Sequence, residues 1–370
     1  MHSSALRSRP YSIPLCSPFT TAHGTWITRE GVIVEIFTAE GITGIGEIAP
    51  LPDFSGELIS DALRALDQSP IINDLLGKRP DEALDDLYRA VGILSPSIVC
   101  GLEIALLDAL RQAQRCSMSE LLTQRSQSNA TRFHKSISTP LSITPHPRIH
   151  VNTVIGASSI DDAVDTAKAA IATGFGCLKL KLGMGVKTDI ERVHAVRKAI
   201  GPAIHLRLDA NEAWAFDQAC TILTRCAPLN IQYVEQPLKA GDLRGMHNLR
   251  QAVAVPIAAD EAIVDLTSAR RVLASQAADV LILKPQIIGG LKISRQIIEE
   301  AWEQGVQCVI TSVFETAIGI EALVNLVAAS PEITLECGLA TLHMLEHDLL
   351  FQSLPGYKSR FDAVQARIAL

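Results

Sequence analysis

The sequence of 370 residues lacks several patterns that would assign a protein to a special class. It has no cluster of Lys and Arg, and its formal net charge is −7, so we expect no nucleic-acid partner. No apolar run approaches about 18 residues, so we predict no transmembrane helix and no membrane partner. The basic N-terminal stretch contains no apolar core of signal-peptide length, and we therefore expect a cytoplasmic protein.

Paired cysteines and paired histidines are also missing. The eight cysteines are scattered without a C-x-x-C pair, and we interpret them as small buried residues and not as a disulfide framework. No H-E-x-x-H segment and no Cys/His cluster points to zinc. What remains is an apolar fraction of 48% in a chain long enough for more than one domain.

The first third of the chain has the pattern of an α+β unit. Two strands are predicted at 32–38 and 44–48, and helical periodicity follows at 57–66, 81–91 and 95–114. We predict that residues 1–122 form a capping domain. Residues 123–147 are rich in Ser, Thr and Pro with little apolar periodicity, so a loop or linker is predicted there.

From residue 148 onward, short apolar segments alternate with helical patterns. Eight such segments lie at 148–156, 177–183, 205–211, 231–237, 256–262, 279–285, 307–313 and 333–338. This alternation predicts an α/β fold with a parallel sheet, and eight units favour a closed barrel over 148–340. A doubly wound open sheet is the alternative, because periodicity does not show closure. Residues 341–370 are predicted to return to the cap.

Charged and amide side chains gather where the predicted barrel strands end. The second to sixth strands end, in order, with Lys179 and Lys181, Asp209 and Asn211, Glu235, Asp260 and Glu261, and Lys284. In a β/α barrel the carboxyl ends of the strands form the face that carries the active site. Because successive strand residues alternate between inside and outside, Lys179 and Lys181 can share the inward face.

Three carboxylates, Asp209, Glu235 and Asp260, are expected to converge from three successive strands. Their mutual repulsion would raise their pKa values unless a divalent cation lay among them. An all-oxygen ligand set suits Mg²⁺ or Mn²⁺ better than Zn²⁺. The sequence therefore predicts a Mg²⁺ site, with Mn²⁺ as the alternative cation, although carboxylates taken singly are more often solvated surface groups.

The lysines lead to a hypothesis about proton transfer. Lys181 and Lys284, on the second and sixth strands, would lie on opposite sides of the ring. An ammonium beside a metal and other cations loses its proton more readily, so one lysine would serve as a base. The other would stabilise developing negative charge, and Lys179 would assist proton loss from Lys181. The alternative is that these lysines only form salt bridges.

These residues resemble the enolase superfamily, in its muconate-lactonizing-enzyme-like subgroup. The matching motifs are K-x-K at 179–181, D-x-N at 209–211, E-Q-P at 235–237, D-E at 260–261 and K-P at 284–285. The resemblance implies a modified TIM-type (β/α)7β barrel with an α+β cap. It also implies that Lys181 removes an α-proton, that Lys284 stabilises an enediolate, and that the three carboxylates bind Mg²⁺. Asn211 and Glu261 would orient the lysine and the ligands.

Within this subgroup, residues 46–57 (GEIAPLPDFSGE) and 311–319 (TSVFETAIG) resemble o-succinylbenzoate synthases. That family dehydrates 2-succinyl-6-hydroxy-2,4-cyclohexadiene-1-carboxylate in menaquinone and phylloquinone synthesis. Dipeptide epimerases usually carry D-x-D where this chain has Ser312, Val313 and Phe314. Racemases of N-succinylamino acids and dipeptide epimerases remain alternatives within the fold, and a non-catalytic metal-binding scaffold is the alternative from another class.

Further residues also have predicted roles. Ser312 and the turn at Gly289 and Gly290 follow strand ends and are predicted to donate to a substrate carboxylate, against a plain loop role. Arg207 and Glu315 are predicted to form internal ion pairs. The expected partner is a small-molecule carboxylate, and the sequence does not indicate the oligomeric state.

Overall fold

The computed structural model describes residues 2–21, 24–128, 148–156, 159–346, 362 and 365–369. Within these ranges an antiparallel sheet with helices forms the N-terminal cap, and a parallel sheet with helices forms the rest. No helix in the described ranges is long and apolar enough to cross a membrane.

The cap is built on a three-stranded antiparallel sheet with the second strand in the centre. Its strands are β1 (Ser3–Thr21), β2 (Gly24–Thr38) and β3 (Thr43–Ile48). Its helices are α1 (Pro52–Ser55), α2 (Ile59–Gln68), α3 (Pro70–Asn73), α4 (Pro80–Arg89), α5 (Pro96–Gln114) and α6 (Met118–Ser128). The predicted strands and helices of this region are therefore confirmed. β1 contains Pro10, Pro14 and Pro18, which an edge strand tolerates because its outer donors need no partner.

Helix α5 is the core of the cap. Every residue from Ser97 to Leu110 is buried, so this part of the helix is covered on all sides. It lies directly on β3 because Gly44 and Gly46 have no side chain: a Cβ at Gly46 would come within 2.0 Å of the Gly101 carbonyl oxygen. Because α5 packs so closely on its neighbours, its acidic side chains contact other secondary-structure elements and not solvent.

The region predicted as a loop, 123–147, is helical at its start. Helix α6 continues to Ser128, so residues 123–128 are a correction to that prediction. The composition was misleading there because Ser and Gln are also tolerated in the last turn of a helix. Residues 129–147 lie outside the described residues.

In the described residues the barrel sheet has seven strands: β5 (Thr153–Ile155), β6 (Cys177–Lys181), β7 (His205–Asp209), β8 (Ile231–Glu235), β9 (Ile257–Ala259), β10 (Val280–Leu283) and β11 (Gln307–Ile310). The short strand β4 (Ile149–His150) precedes them and lies outside this sheet. The helices between and after them are α7 (Ile160–Ala172), α8 (Val186–Ile200), α9 (Phe216–Cys226), α10 (Leu243–Ala252), α11 (Leu266–Ala274), α12 (Pro285–Ile288), α13 (Leu291–Glu303) and α14 (Ala317–Ala328). Strands β5 to β11 pair in chain order, and every pair is parallel.

The eighth predicted segment closes the ring without forming a regular strand. Cys337 makes a parallel bridge to Val151, and Gly338 makes one to Thr311. The Cys337 amide donates to the His150 carbonyl oxygen at 2.8 Å, and the Gly338 amide donates to the Ile310 carbonyl oxygen at 2.9 Å. Both edges of the parallel sheet are thus joined, which excludes the open-sheet alternative and confirms the barrel with an α+β cap.

The C-terminal segment contacts both parts of the molecule. Leu345 bridges Leu15 of β1 in antiparallel fashion, and the Glu346 amide donates to the Pro14 carbonyl oxygen at 2.9 Å. The last described residues, β12 (Ile368–Ala369), pair instead with β4 at the barrel. The predicted return to the cap therefore describes residues near 345 and not the segment at 368–369.

Candidate active site

The strand register brings the predicted site residues to one edge of the barrel. Lys181 ends β6, Asp209 ends β7 and Glu235 ends β8, and their Cα atoms pair across the strands as Lys181 with Asp209 and Asp209 with Glu235. Asp260 and Lys284 follow the last residues of β9 and β10. All of these groups lie at the carboxyl ends, as parallel strands of equal direction require.

The lysines and carboxylates form two separate groups of ion pairs. Lys179 Nζ lies 2.8 Å from Glu235 Oε1 and 2.9 Å from Asp209 Oδ2, and Lys181 Nζ lies 2.6 Å from the same Asp209 oxygen. Separately, Lys284 Nζ lies 2.6 Å from Asp260 Oδ2. The three carboxylates are at most 4% exposed, so their charges depend on these partners and not on solvent.

Lys181 has a second partner that fixes its direction. Its Nζ donates to Asn211 Oδ1 at 2.8 Å, and Asn211 Nδ2 donates to Glu261 Oε1 at 3.0 Å. Asn211 adopts a left-handed backbone conformation with φ 43°, which asparagine tolerates better than most residues. The structure therefore arranges Asn211 and Glu261 as a chain of hydrogen bonds that ends on the Lys181 ammonium.

Burial and neighbouring charges give the three carboxylates different pKa values. Burial opposes ionisation of Asp209, but Lys179 and Lys181 hold its pKa well below the ordinary value. Burial and the Asp209 charge raise the pKa of Glu235 to about 8. Burial also raises the pKa of Asp260 despite Lys284. The lysines alone therefore stabilise the ionised form of Asp209 but do not offset the burial of Glu235 and Asp260.

The donor chemistry fits a hard divalent cation. Three buried carboxylates on successive strands provide only oxygen ligands, the kind that Mg²⁺ prefers. In the conformation described, their oxygens accept hydrogen bonds from ammonium groups, and the described residues contain no cluster of three His, Cys, Asp or Glu side chains arranged around a common point. The raised pKa of Glu235 means that its ionised form is poorly stabilised by the lysines, and a bound cation would favour that form.

A cavity opens above these charges between barrel and cap. Its charged lining consists of the three lysines with Glu235 and Asp260. Its other walls include apolar and hydroxyl side chains from three places: β2, the α1 region and the segments after the last strands. Those used below are Trp26, Leu51, Phe54, Phe314, Thr341 and Met344.

These wall residues are the part of the site that the strand-end pattern missed. Phe54 lies within the 46–57 motif, so a signal for it existed, and its ring lies over Lys284 with 3.9 Å from Nζ to the ring centroid. Trp26 had no signal, because its approach to the barrel depends on how the whole cap docks. Phe54 and Trp26 make the cap a direct part of the cavity.

The three residues predicted to bind a substrate carboxylate have different positions. Ser312 lines the cavity, and its Oγ lies 2.9 Å from Thr341 Oγ1. Gly289 and Gly290 do not line it, which corrects that prediction. Gly290 is buried against α5, where a Cβ on it would lie 2.2 Å from Glu103 Oε2, whereas a Cβ on Gly289 would lie 3.2 Å from Ile293 Cδ1 of α13. The missing side chain of Gly290 therefore serves the contact between cap and barrel.

Two carboxylates of the cap dock on helix N-termini of the barrel. Glu103 accepts from the amides of Leu291 at 2.5 Å and Lys292 at 3.0 Å, at the start of α13. Glu47 accepts from the amides of Thr316 at 2.9 Å and Gly319 at 2.9 Å, at the start of α14. Helix N-termini attract negative charge and have free amide donors, so these contacts hold the cap in place over the cavity.

One layer below the site, Arg207 crosses the inside of the barrel. Its guanidinium donates to Gln232 Oε1 at 2.5 Å, to Asn152 Oδ1 at 3.1 Å and to Glu336 Oε2 at 2.7 Å. Its Cζ also lies 4.8 Å from the centroid of the Tyr233 ring. We call Asn152, Arg207, Gln232 and Glu336 the barrel floor. The internal ion pair predicted for Arg207 is thus made with Glu336.

Together, the capped barrel and the lysines and carboxylates at its strand ends define the architecture of muconate-lactonizing-enzyme-like enzymes. Residues 162–364 match the family described as enolase C-terminal domain-like, and residues 6–109 match the N-terminal domain of MenC. The chain therefore belongs to the enolase superfamily, as its motifs predicted.

Relatives with different activities are similar to this chain. A hydrophobic dipeptide epimerase of Enterococcus faecalis is 30% identical over 88% of this chain and 87% of that protein. An o-succinylbenzoate synthase of Thermobifida fusca is 37% identical over 54% of this chain and 62% of that protein. The crystal structure of the Enterococcus faecalis epimerase, complexed with Mg and the dipeptide L-Leu-L-Tyr, has a TM-score of 0.84 and 28% identity, covering 94% of this chain and 93% of that one.

Proposed function

We propose that the protein is an o-succinylbenzoate synthase, a Mg²⁺-dependent lyase that dehydrates 2-succinyl-6-hydroxy-2,4-cyclohexadiene-1-carboxylate to 2-succinylbenzoate. The observation that carries the proposal is the composition of the cavity wall. Among the described residues, the only acidic side chains lining the cavity are Glu235 and Asp260. The wall facing them is apolar or hydroxyl-bearing, which suits a ring with a succinyl group and offers no carboxylate to a free ammonium.

The lysines of this chain would carry the proton. Neutral Lys181 removes the proton from the carbon next to the substrate carboxylate, and the C–H electron pair enters an enediolate. Lys284, positively charged on the other side, stabilises the negative charge of that enediolate. The electrons then expel the hydroxyl group from the adjacent carbon, Lys181 returns its proton to it, and water leaves as the ring becomes aromatic.

Asp209, Glu235 and Asp260 would hold the cation. When bound, Mg²⁺ would neutralise charge on the substrate carboxylate and so make the neighbouring C–H bond more acidic. The remaining residues position these groups: Asn211 and Glu261 orient Lys181, and the Phe54 ring covers the Lys284 ammonium and excludes water from it. The same proposal includes a role for this reaction in menaquinone or phylloquinone synthesis.

A racemase or epimerase is the second candidate, and the full-length similarity to epimerases favours it. Lysines on two sides of one carbon would also exchange a proton between its faces. An N-succinyl-L-Arg/Lys racemase of Bacillus cereus is 25% identical over 87% of this chain. Against a dipeptide substrate, residues 312–314 are Ser, Val and Phe, and they give an amino terminus no acidic partner.

The deciding experiment compares two substrates with the same preparation in the presence of Mg²⁺. Purified protein is assayed for conversion of the cyclohexadiene carboxylate to 2-succinylbenzoate and for racemisation of N-succinylamino acids. Lys181→Ala tests the base, and Lys187→Ala, on the exposed face of α8, is the matched control. We expect dehydration by wild type and by the control and none by Lys181→Ala. Racemisation without dehydration by folded wild type would refute the lyase proposal.

A further inference from the structure

The turn between β11 and α14 contains a buried carboxyl group that the proposed reaction does not use. Glu315 is 1% exposed. Its Oε2 accepts hydrogen bonds from Ser312 Oγ at 2.6 Å and from the Val313 amide at 2.7 Å. The carboxyl group therefore closes the turn from inside and ties together the residues that precede it.

This turn forces Phe314 into a costly backbone conformation. Phe314 has φ 66°, in the left-handed region that disfavours residues with a Cβ, especially bulky ones. Its amide donates to Ser312 Oγ at 2.9 Å, so the same hydroxyl group that binds Glu315 also holds Phe314. Strained residues persist where surrounding contacts determine them, and they concentrate at ligand sites.

The conformation directs the Phe314 ring toward the cap. It meets the Trp26 ring edge to face, with centroids 5.8 Å apart and an interplanar angle of 83°. Both residues line the cavity. This ring contact therefore joins the wall contributed by the barrel to the wall contributed by β2.

The surroundings of Glu315 also come from the cap. Its Oε1 has no hydrogen-bond partner, and neither do Nε and Nη2 of Arg29, a residue of β2 that is 5% exposed. The Arg29 charge favours the ionised form of Glu315, whereas burial and Glu47 together raise the pKa of Glu315 to about 7. Arg29 Nη1 donates to the Pro50 carbonyl oxygen at 2.8 Å, next to the cavity residue Leu51.

We propose that Glu315 is a positioning residue that holds Phe314 in its left-handed conformation against Trp26 and thereby fixes the part of the cavity wall that these two rings form. Its effect is on which substrate side group fits, because it touches neither the lysines nor the carboxylates of the site. The inference rests on the proposed function only for the identity of that substrate.

The test uses 5-fluorotryptophan, because the chain has three tryptophans, Trp26, Trp214 and Trp302. The ¹⁹F signal of Trp26 is assigned with Trp26→Phe. In Glu315→Ala we expect that signal to shift while the other two stay, and KM for the cyclohexadiene carboxylate to rise about tenfold with kcat changed less than about threefold. Glu315→Gln keeps an oxygen that can accept from Ser312 and Val313, and it is expected to restore both readouts.

Glu303→Ala, an exposed acidic residue at the end of α13, is the matched control. If Glu315→Ala fails to fold, Glu315→Asp takes its place, because its carboxyl group is withdrawn by one methylene while its charge remains. A Trp26 signal and a KM both equal to those of the control would overturn the proposal. The NMR readout does not depend on turnover, so it stays decisive even if the wild-type protein does not dehydrate the substrate.

Discussion

The barrel interior buries charge in two adjacent layers, and only one of them has the properties of a reaction site. In the barrel floor, the Arg207 guanidinium donates hydrogen bonds to neutral oxygens and to one carboxylate, and Arg207 is fully buried. In the layer above, Asp209 contacts two lysines whereas Glu235 and Asp260 contact one each, and all of these charged groups except Asp209 line the cavity. Buried charge alone is therefore a poor marker of chemistry. Unequal charge balance beside open space is the better one.

The difference is also visible in the acidity of the carboxyl groups. Glu336 of the floor is partly buried, but backbone and side-chain hydrogen bonds and the Arg207 charge lower its pKa. Glu235 of the upper layer has its pKa raised to about 8 by burial and by the Asp209 charge. A structural ion pair stabilises the charged form, whereas the site holds charges that need a further partner.

The largest expected effect tests the upper layer. Replacing Lys284 with Ala removes the group that would stabilise the enediolate, and we expect kcat for dehydration to fall about 10³-fold. Circular dichroism should show an unchanged fold, with Lys187→Ala as the control. A kcat within tenfold of wild type would place Lys284 with the structural charges of the floor.

The next effect tests the floor. Arg207→Met leaves the Glu336 carboxylate without its main partner, and we expect the free energy of unfolding to fall by about 4 kcal/mol in urea titration. The folded fraction should keep its kcat. Arg225→Ala, at an exposed position of α9, serves for comparison. Loss of kcat without loss of stability would break the division into two layers.

A buried carboxyl group outside both layers sharpens the comparison through pH. Burial and Glu47 raise the pKa of Glu315 from 4.5 to about 7, with Arg29 opposing. The folded state therefore binds the Glu315 proton more tightly than the unfolded state does. The stabilisation that results is fully present below the unfolded pKa of about 4.5, and it is lost as the pH rises from about 4.5 to 7. The expected loss is up to about 3 kcal/mol relative to Glu315→Gln.

The measurement is urea unfolding of wild type and Glu315→Gln between pH 4.5 and 8. Taking the difference removes the titration of Glu235, which both proteins share, and of Tyr11, whose pKa burial holds well above this range. Parallel stability curves for the two proteins would contradict the prediction.

The smallest effect concerns metal binding. At a Mg²⁺ concentration 100 times the dissociation constant, we expect the free energy of unfolding of wild type to rise by about 2.7 kcal/mol. Glu235→Gln should abolish this gain, and Glu336→Gln should keep it, since only the first carboxylate belongs to the proposed ligand set. Equal gains in both variants would show that the ion binds elsewhere.

The strand ends were predictable because they are local. Alternation of apolar segments with helical patterns locates the ends of β6 to β10, and parallel strands bring those ends to one edge whatever the rest of the chain does. Lys181, Asp209 and Glu235 therefore meet as the sequence indicated. The roles assigned to them remain predictions until the variants above are measured.

The walls were not predictable from local pattern. Trp26 and Phe314 are 288 positions apart in the sequence and meet only after cap and barrel have docked, and no periodicity encodes that contact. Gly289 and Gly290 follow a strand end, which predicts an approach to substrate, but Gly290 approaches Glu103 of the cap and Gly289 approaches Ile293. The closing segment near Cys337 was visible in the sequence, but its bonds to both neighbours were not.

Glu47 and Glu103, which contact the starts of α14 and α13, attach the cap to the barrel, whereas other residues of the cap would select the substrate. These carboxylates fasten the cap without lining the cavity, whereas Trp26 and Phe54 line it and contact Phe314 and Lys284 of the barrel there. Substitutions at the wall can therefore change the accepted side group while the two domains keep their alignment. A descendant of this protein could acquire a new substrate by altering a few aromatic positions, with its proton-transfer groups left in place.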